Sequence, residues 1–200
     1  VGFIGKRDTG WFVNVDGTEA GPYEGCAGLA ISPEGSRVAF LAKRDREWLM
    51  IVNGEEHSGD GLMSLSFSPN GSVLASIVKR GDKHFARVDG VDGKEYDRIE
   101  NPGIRFSADG KHTTFLADVS GEKMVVTDGA ESPRFKRLGK THLGFVPNGS
   151  MTMYSVRRGD LEALVFGGVE GPAVKSYRSL CFSPDGTRYV PVPSDTPTAI

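Results

Sequence analysis

Short apolar runs and polar turns alternate along the whole chain in a repeated order. One set of runs is apolar on both faces, as expected for strands buried between neighbouring layers; its members are residues 38–42, 74–78, 113–117 and 152–156. A charged turn follows each of them, and then a second apolar run that ends at a glycine-containing turn. A more polar segment comes next and predicts an outer edge strand, around Tyr23, Tyr96, Phe135 or Val174. With the strand that precedes each buried run, the pattern predicts four strands per unit in an all-β fold.

Two sets of turn glycines define the length of the repeat. The first set closes the motif Phe-Ser-Pro-Asp-Gly of residues 182–186 and its relatives, at Gly35, Gly71, Gly110, Gly149 and Gly186. The second set recurs at the same intervals of 36 to 39 residues, at Gly17, Gly54, Gly90, Gly129 and Gly168. Residues 1–17 match residues 38–54 at eight of 17 positions without a gap, so the chain is expected to begin inside a unit. Periods of about 40 residues with strand-like contents are typical of propeller blades.

The motif has the chemistry of a hairpin turn. Serine suits its first position, proline presets φ at about −65°, aspartate or asparagine tolerates the third position, and glycine supplies a positive φ. Proline is replaced at Ala108 and serine at Val146, whereas glycine is present in all five copies. We therefore interpret the motif as turn geometry rather than as a catalytic or metal site.

This motif, the apolar strand after it and the Val-Asp-Gly strand end resemble the TolB-type branch of the WD-like β-propeller repeat. The resemblance covers residues 1–193, although the Gly-His and Trp-Asp pairs of the eukaryotic WD repeat are absent. It implies a β-propeller of four-stranded antiparallel blades, with about five blades' worth of sequence, and a broad expectation of binding roles. The expected division is a partial unit at 1–27, units at 28–61, 62–100, 101–139 and 140–176, a partial unit at 177–193 and a tail or linker at 194–200.

Two arrangements of the last strands are open. The strand ending at Phe182 could pair with the incomplete unit at residues 1–23, which would close a five-bladed ring. Alternatively, residues 188–192 form the second strand of a further blade, and the chain is part of a larger ring. Pro191, Pro193 and Pro197 weaken that last strand because proline cannot donate to a ladder. The larger ring is slightly favoured.

Composition and charge exclude some classes of partner. The chain has 24 Lys and Arg against 26 Asp and Glu, and this net charge of −2 gives no bulk attraction to nucleic acid or to an anionic membrane. No apolar run approaches the roughly 20 residues of a spanning helix. Cys26 and Cys181 occupy unrelated repeat positions and are expected to be free thiols. The compartment is left open, with the bacterial periplasm and the cytoplasm both compatible.

The sequence contains none of the common catalytic motifs. Nucleophile-elbow, HExxH, P-loop and dinucleotide-binding patterns are absent, which predicts a protein without catalysis of its own and without a cofactor. The four histidines lie at unrelated repeat positions and lack metal-ligand spacing, so they are expected to be ordinary surface residues, at His57, His84, His112 and His142. Residues 89–93 have the composition of a turn rather than of a calcium loop.

Candidate binding residues lie where the repeats differ. One aligned position holds Trp11, Trp48, His84, Lys123 and Glu162 in turn. Because it accepts Lys and Glu, we expect it to be exposed, which would place two tryptophans outward beside the basic turns that contain Arg7 and Arg44. The alternative is that each Trp packs flat over the adjacent outer strand. Arg105 is the one large residue among the small ones that precede the motif, so it is a candidate for the channel, or for a structural ion pair.

The function predicted from these patterns is a non-catalytic platform for a protein or peptide partner. An alternative is a propeller that gates or orients substrate for a hydrolase or peptidase domain in a longer chain, as the TolB resemblance implies. A lectin-like binder with equivalent sites on several blades is disfavoured, because the Trp position drifts to Glu. The basic turns are expected to be compensated by nearby acids, namely Asp8, Asp45, Asp82 and Asp160.

Overall fold

The computed structural model describes residues 1–58, 61–100, 103–139, 143–147, 149–183 and 188–193. Every secondary-structure element within these residues is a β-strand, which confirms the all-β prediction. The chain forms two compact units, Val1–Ile99 and Glu100–Ile200, and each is described by itself.

The first unit contains three antiparallel sheets in which hairpins join consecutive strands. Sheet 1 has three strands: β1 (Gly2–Arg7), β2 (Gly10–Val15) and β3 (Thr18–Tyr23). Sheet 2 has four: β4 (Gly25–Ile31), β5 (Val38–Arg44), β6 (Glu47–Val52) and β7 (Glu55–Ser58). Sheet 3 also has four: β8 (Leu62–Phe67), β9 (Leu74–Arg80), β10 (Lys83–Val88) and β11 (Val91–Asp92). The last strand of this unit is the two-residue β12 (Arg98–Ile99).

The second unit repeats the same plan. Sheet 4 contains β13 (Arg105–Phe106), β14 (Thr113–Val119), β15 (Glu122–Thr127) and β16 (Ala130–Glu131). Sheet 5 contains β17 (Gly144–Phe145), β18 (Thr152–Arg158), β19 (Leu161–Phe166) and β20 (Val169–Glu170). Sheet 6 contains β21 (Tyr177–Phe182) and β22 (Tyr189–Pro193).

Strand β5 shows why the second strand of each sheet is apolar on both faces. Successive side chains of a strand point to opposite faces. Phe40 belongs to an apolar cluster with Val13 of sheet 1, whereas Leu41 belongs to another with Val78 of sheet 3. Sheet 2 is therefore packed on both faces, and the same face-to-face packing joins sheets 4 and 5 in the second unit.

The Ser-Pro-x-Gly turns confirm the predicted left-handed glycines and show a further role for serine. Gly35 and Gly71 have φ of 78° and 73°. The Ser68 hydroxyl is fully buried and accepts a hydrogen bond from the Val73 amide at 3.0 Å. Ser32 and Ser107 accept equivalent bonds from the amides five residues later. Of the motif at 182–186, residues 184–186 lie outside the described residues.

Strand β21 pairs with β22, from Tyr177 opposite Pro193 to Phe182 opposite Tyr189. This is the pairing expected if residues 188–192 begin a further four-stranded sheet, and it differs from the five-bladed option, which assigned β21 to the unit at residues 1–23. Pro191 is tolerated because β22 is the outer strand of this two-stranded sheet, where an amide donor is not required on the free side.

Candidate functional site

The aligned position of the two tryptophans is not exposed, contrary to the sequence-based expectation. Trp11, Trp48 and His84 are half-buried, and Glu162 retains only 3% of its accessible surface. The reason is that this position lies in the strand next to the outer strand of its sheet and pairs with the returning outer segment, as His84 does with Tyr96. A side chain placed there is covered by the rest of the sheet and by its neighbour.

Both tryptophans pack against the apolar clusters between sheets. Trp11 lies against the cluster that contains Val13, and Trp48 lies against the cluster that contains Leu41. A Cβ atom built at Gly25 would lie 3.4 Å from the Cη2 atom of Trp48, which is ordinary van der Waals contact, so the ring packs directly against this position. Both tryptophans therefore contribute to packing between sheets. The predicted placement of each ring flat over the outer strand, and a role for Trp11 or Trp48 in binding a partner, stay predictions.

The arginines of the basic turns are neutralised, but not by the acids next to them in sequence. Each pairs with the acid 12 residues later on the outer strand of its own sheet. The pairs are Arg7–Glu19 at 2.7 Å, Arg44–Glu56 at 2.6 Å, Arg80–Asp92 at 3.3 Å and Arg158–Glu170 at 2.8 Å. Arg7 and Arg44 are thus exposed but already engaged with carboxylates.

The remaining predicted residues are not brought together into one site. The His84 Nδ1 atom lies 2.9 Å from the Asp97 carbonyl oxygen. Arg105 is half-buried in β13, opposite Thr114, and forms no ion pair within the described residues. Its assignment to a channel stays a prediction. His142 lies outside the described residues, and those that are described include no group of three His, Cys, Asp or Glu that could hold a metal ion.

A different cluster, in the second unit, has the character of a binding site. A cavity of about 700 Å³ opens between the segment that follows β16 and the turn between β18 and β19. We call it the cationic cleft, because five cationic side chains line it together with only two acidic ones. The cations are Arg134, Lys136, Arg137, Arg157 and Arg158, and the acids are Glu122 and Asp160.

Two of these arginines face each other across neighbouring chain segments. The Arg157 amide donates to the Arg137 carbonyl at 3.0 Å, next to the antiparallel bridge between Leu138 and Val156. At the equivalent places in the first unit a glycine faces a lysine, Gly25 opposite Lys43 and Gly61 opposite Lys79. The Arg–Arg pair is therefore a departure of sheet 5 from the common pattern.

Only part of the positive charge of the cationic cleft is compensated. Arg134 pairs with Glu122 at 3.5 Å, and Arg158 pairs with Glu170. The hydrogen bond to Glu170 also raises the pKa of the Arg158 guanidinium. Lys136, Arg137 and Arg157 are exposed and form no ion pair with any of the described residues. Three cations are thus available to an anionic ligand.

A buried aromatic pair lies beneath the charged side chains of the cleft. Phe135 retains 4% of its accessible surface and stacks on Tyr154 with 5.9 Å between the ring centroids. Both rings belong to the cluster between sheets 4 and 5. The segment that carries Arg134, Lys136 and Arg137 is consequently anchored to the core at Phe135.

The sequence contained a feature that could have revealed this cluster. Between Glu131 and Asp160 there is no acidic residue, although the chain as a whole has more acids than bases. The same interval holds six basic residues, Arg134, Lys136, Arg137, Lys140, Arg157 and Arg158. A local count of charge identifies the interval, whereas the net charge of the chain hides it.

The fold is shared with a solved β-propeller. The propeller domain of the Trilobed protease from Pyrococcus furiosus superposes with a TM-score of 0.51 at 12% identity, over 73% of this chain and 56% of that one. The chain has a β-propeller fold. Its four-stranded sheets are the blades, and the propeller architecture predicted from the repeats is confirmed.

Solved TolB structures are also similar to this propeller. TolB from Acinetobacter baumannii gives a TM-score of 0.44 at 18% identity, over 93% of this chain and 49% of that one. A TolB protein from Agrobacterium tumefaciens gives 0.44 at 14% identity, over 90% and 75%. The chain spans about half the length of the first two structures. No protein-family model matches the sequence, and no curated protein matches it significantly.

The described part of the propeller contains no helix whose length and apolar character would allow it to cross a membrane.

Proposed function

We propose that this propeller is a non-catalytic interaction module that holds an acidic segment of a partner protein in the cationic cleft. The observation that supports it is the presence of Lys136, Arg137 and Arg157 around one cavity without a carboxylate partner among the described residues. The turn arginines of the other blades are engaged with acids of their own sheets. Among the turn arginines, Arg157 thus differs from Arg7, Arg44 and Arg80 in having no carboxylate partner among the described residues.

A short acidic peptide segment matches the cleft better than an extended polyanion does. The cavity of about 700 Å³ lies within the size range of ligand pockets, which is about 300–1,000 Å³. Glu122 and Asp160 also line the cleft. An extended phosphate backbone would meet these carboxylates, whereas a compact group placed between Arg137 and Arg157 avoids them. The net charge of −2 adds no long-range attraction to nucleic acid.

The proposal is tested by fluorescence anisotropy with a labelled hexaglutamate peptide. The double variant Arg137→Ala/Arg157→Ala is expected to bind at least about tenfold more weakly than the native protein, because it loses two charge-assisted contacts. The matched control is Lys43→Ala/Lys79→Ala, which removes two cations from the same repeat position as Arg157 in other blades. If both double variants lose affinity for the peptide equally, binding depends only on the overall charge of the protein, and the proposal is overturned.

A further inference from the structure

The second inference rests on the proposed function and concerns the chemical group that the cationic cleft recognises. We infer that this group is a phosphate monoester on the partner segment, such as a phosphorylated serine or threonine, bound between Arg137 and Arg157.

The first reason is the Arg–Arg pair itself. Side chains directly opposite each other on adjacent strands have Cβ atoms about 5 Å apart, and like charges in that relation are destabilising. Arg137 and Arg157 are in that relation, joined by the hydrogen bond between the Arg157 amide and the Arg137 carbonyl. Glu162 lies opposite Arg157 on β19, but it points to the Ser155 hydroxyl at 2.5 Å and does not line the cleft. A ligand with two negative charges at one point relieves this repulsion.

The second reason is the way that this chain uses its own carboxylates. Glu19 accepts from both terminal nitrogens of Arg7, at 2.7 and 2.9 Å. Glu170 accepts from Nε and one terminal nitrogen of Arg158, at 3.2 and 2.8 Å. Asp92 accepts from two arginines, Arg80 and Arg87, so a carboxylate of this chain serves one or two guanidinium groups. The cleft presents two free guanidinium groups and an ammonium group, at Arg137, Arg157 and Lys136.

A phosphate monoester has the charge and the acceptors to satisfy such a set. It carries about −1.5 to −2 charges at neutral pH and three terminal oxygens, which accept from more than one guanidinium fork. Binding of phosphorylated motifs by clustered arginines is a known mode of peptide recognition.

The test compares three peptides that differ at one central position, Glu-Glu-X-Glu-Glu with X as alanine, glutamate or phosphoserine. Phosphoserine is expected to bind at least about tenfold more tightly than glutamate in anisotropy titrations. Its affinity should fall about fourfold between pH 7.5 and pH 5.5, because the second phosphate pKa is about 6. The groups that line the cleft are arginine, lysine, glutamate and aspartate, and buried Glu162 lies behind it. No histidine is among the described residues that line the cleft, so binding of the glutamate peptide should change little over this range.

Control variants separate the possible results. Arg137→Ala/Arg157→Ala should abolish the preference for phosphoserine, and Lys43→Ala/Lys79→Ala should keep it. Arg137→Lys/Arg157→Lys preserves the charge and the fold but lacks the fork, and it should lower the preference. Equal binding of phosphoserine and glutamate would overturn this inference and leave the proposed function standing. No binding of any peptide would overturn both. Stronger competition by a single-stranded oligonucleotide than by the phosphopeptide would assign the cleft to nucleic acid instead.

Discussion

Single buried serines stabilise the turns that the repeat is built on. The Ser68 hydroxyl accepts from the Val73 amide and donates to Asn70 at 2.7 Å, with no accessible surface. Ser68→Ala should lower the free energy of unfolding by about 1–3 kcal/mol, because the Val73 amide loses a buried acceptor. Urea denaturation measures the change. The exposed Ser72→Ala is the control and should stay within about 0.5 kcal/mol; an equal loss in both variants would contradict the assigned role.

Gly139 is required by the space around it. A Cβ atom at Gly139 would lie 2.1 Å from the Glu162 Oε1 atom and 2.2 Å from the Ser155 hydroxyl, both on buried residues. Gly139→Ala should therefore destabilise the protein by about 1–3 kcal/mol through overpacking. Gly144 has open space around its Cβ position, so Gly144→Ala should be nearly neutral in the same denaturation experiment. A neutral Gly139→Ala would show that the site can expand.

The two thiols should differ in reactivity. Burial raises the pKa of the Cys26 thiol to about 11, whereas Cys181 is exposed. A raised pKa keeps Cys26 protonated at pH 8, so its alkylation by iodoacetamide should be at least about tenfold slower than that of Cys181. The rate at Cys26 should keep rising as the pH approaches 11. Equal rates at pH 8, measured by mass spectrometry of the labelled peptides, would contradict the buried position.

At the scale of elements, the Trp position is a packing position in the strand next to the outer strand of each blade. Trp48→Ala should lower the free energy of unfolding by about 2–4 kcal/mol, somewhat less than the cost for a fully buried Trp. Trp48→Phe, which keeps an aromatic ring over Gly25, should recover at least half of the loss. Urea denaturation measures the change. An unchanged stability of Trp48→Ala would contradict the packing role and agree with the exposed position that the sequence pattern suggested.

Strand order and turn chemistry could be predicted because they depend on local properties. Positions such as Gly35 and Gly71 need a positive φ that few residues adopt, and residues 38–42 are apolar on both faces of one strand. The exposure of Trp48 could not be predicted, since it depends on the row Gly25–Lys43–Trp48 across three strands. The partner of Arg44 is Glu56, two strands away and not the adjacent Asp45.

The cationic cleft was missed for a related reason. Its charges come from two chain segments, one after β16 and one at the end of β18, and only the fold places Arg137 opposite Arg157. A count of charged residues in short windows of the sequence detects each segment separately. Each segment alone has the composition of the solvated turns of the other blades.

At the scale of the whole molecule, an anion that binds the folded state should stabilise it by mass action. Inorganic phosphate in place of chloride at constant ionic strength should raise the melting temperature by about 1–4 °C. The shift should vanish in Arg137→Ala/Arg157→Ala and persist in Lys43→Ala/Lys79→Ala. Scanning calorimetry measures both, and an undiminished shift in the Arg137→Ala/Arg157→Ala variant would place the anion elsewhere.

The alternative role, gating substrate for a hydrolase domain, stays a prediction about a longer chain. It expects a hydrolase-type α/β segment with a G-x-S-x-G motif in the same reading frame. It also expects that loss of Arg137 and Arg157 alters KM for an acidic substrate more than kcat. If the propeller binds the acidic peptide and the reading frame encodes no hydrolase segment, the result supports the interaction module.

In the ion pairs between turn and outer strand, the positive charge of each turn arginine is neutralised by an acid of its own sheet. Four blades each carry a turn arginine that pairs with an acid on the same sheet, although Arg80 also lies 4.0 Å from Glu95 and its partner Asp92 also binds Arg87. Such exposed pairs contribute only about 0–1 kcal/mol to stability. A single Glu56→Gln or Glu19→Gln substitution therefore frees an arginine for a ligand with little effect on folding. New anion sites can be engineered blade by blade on this scaffold, without designing any new backbone.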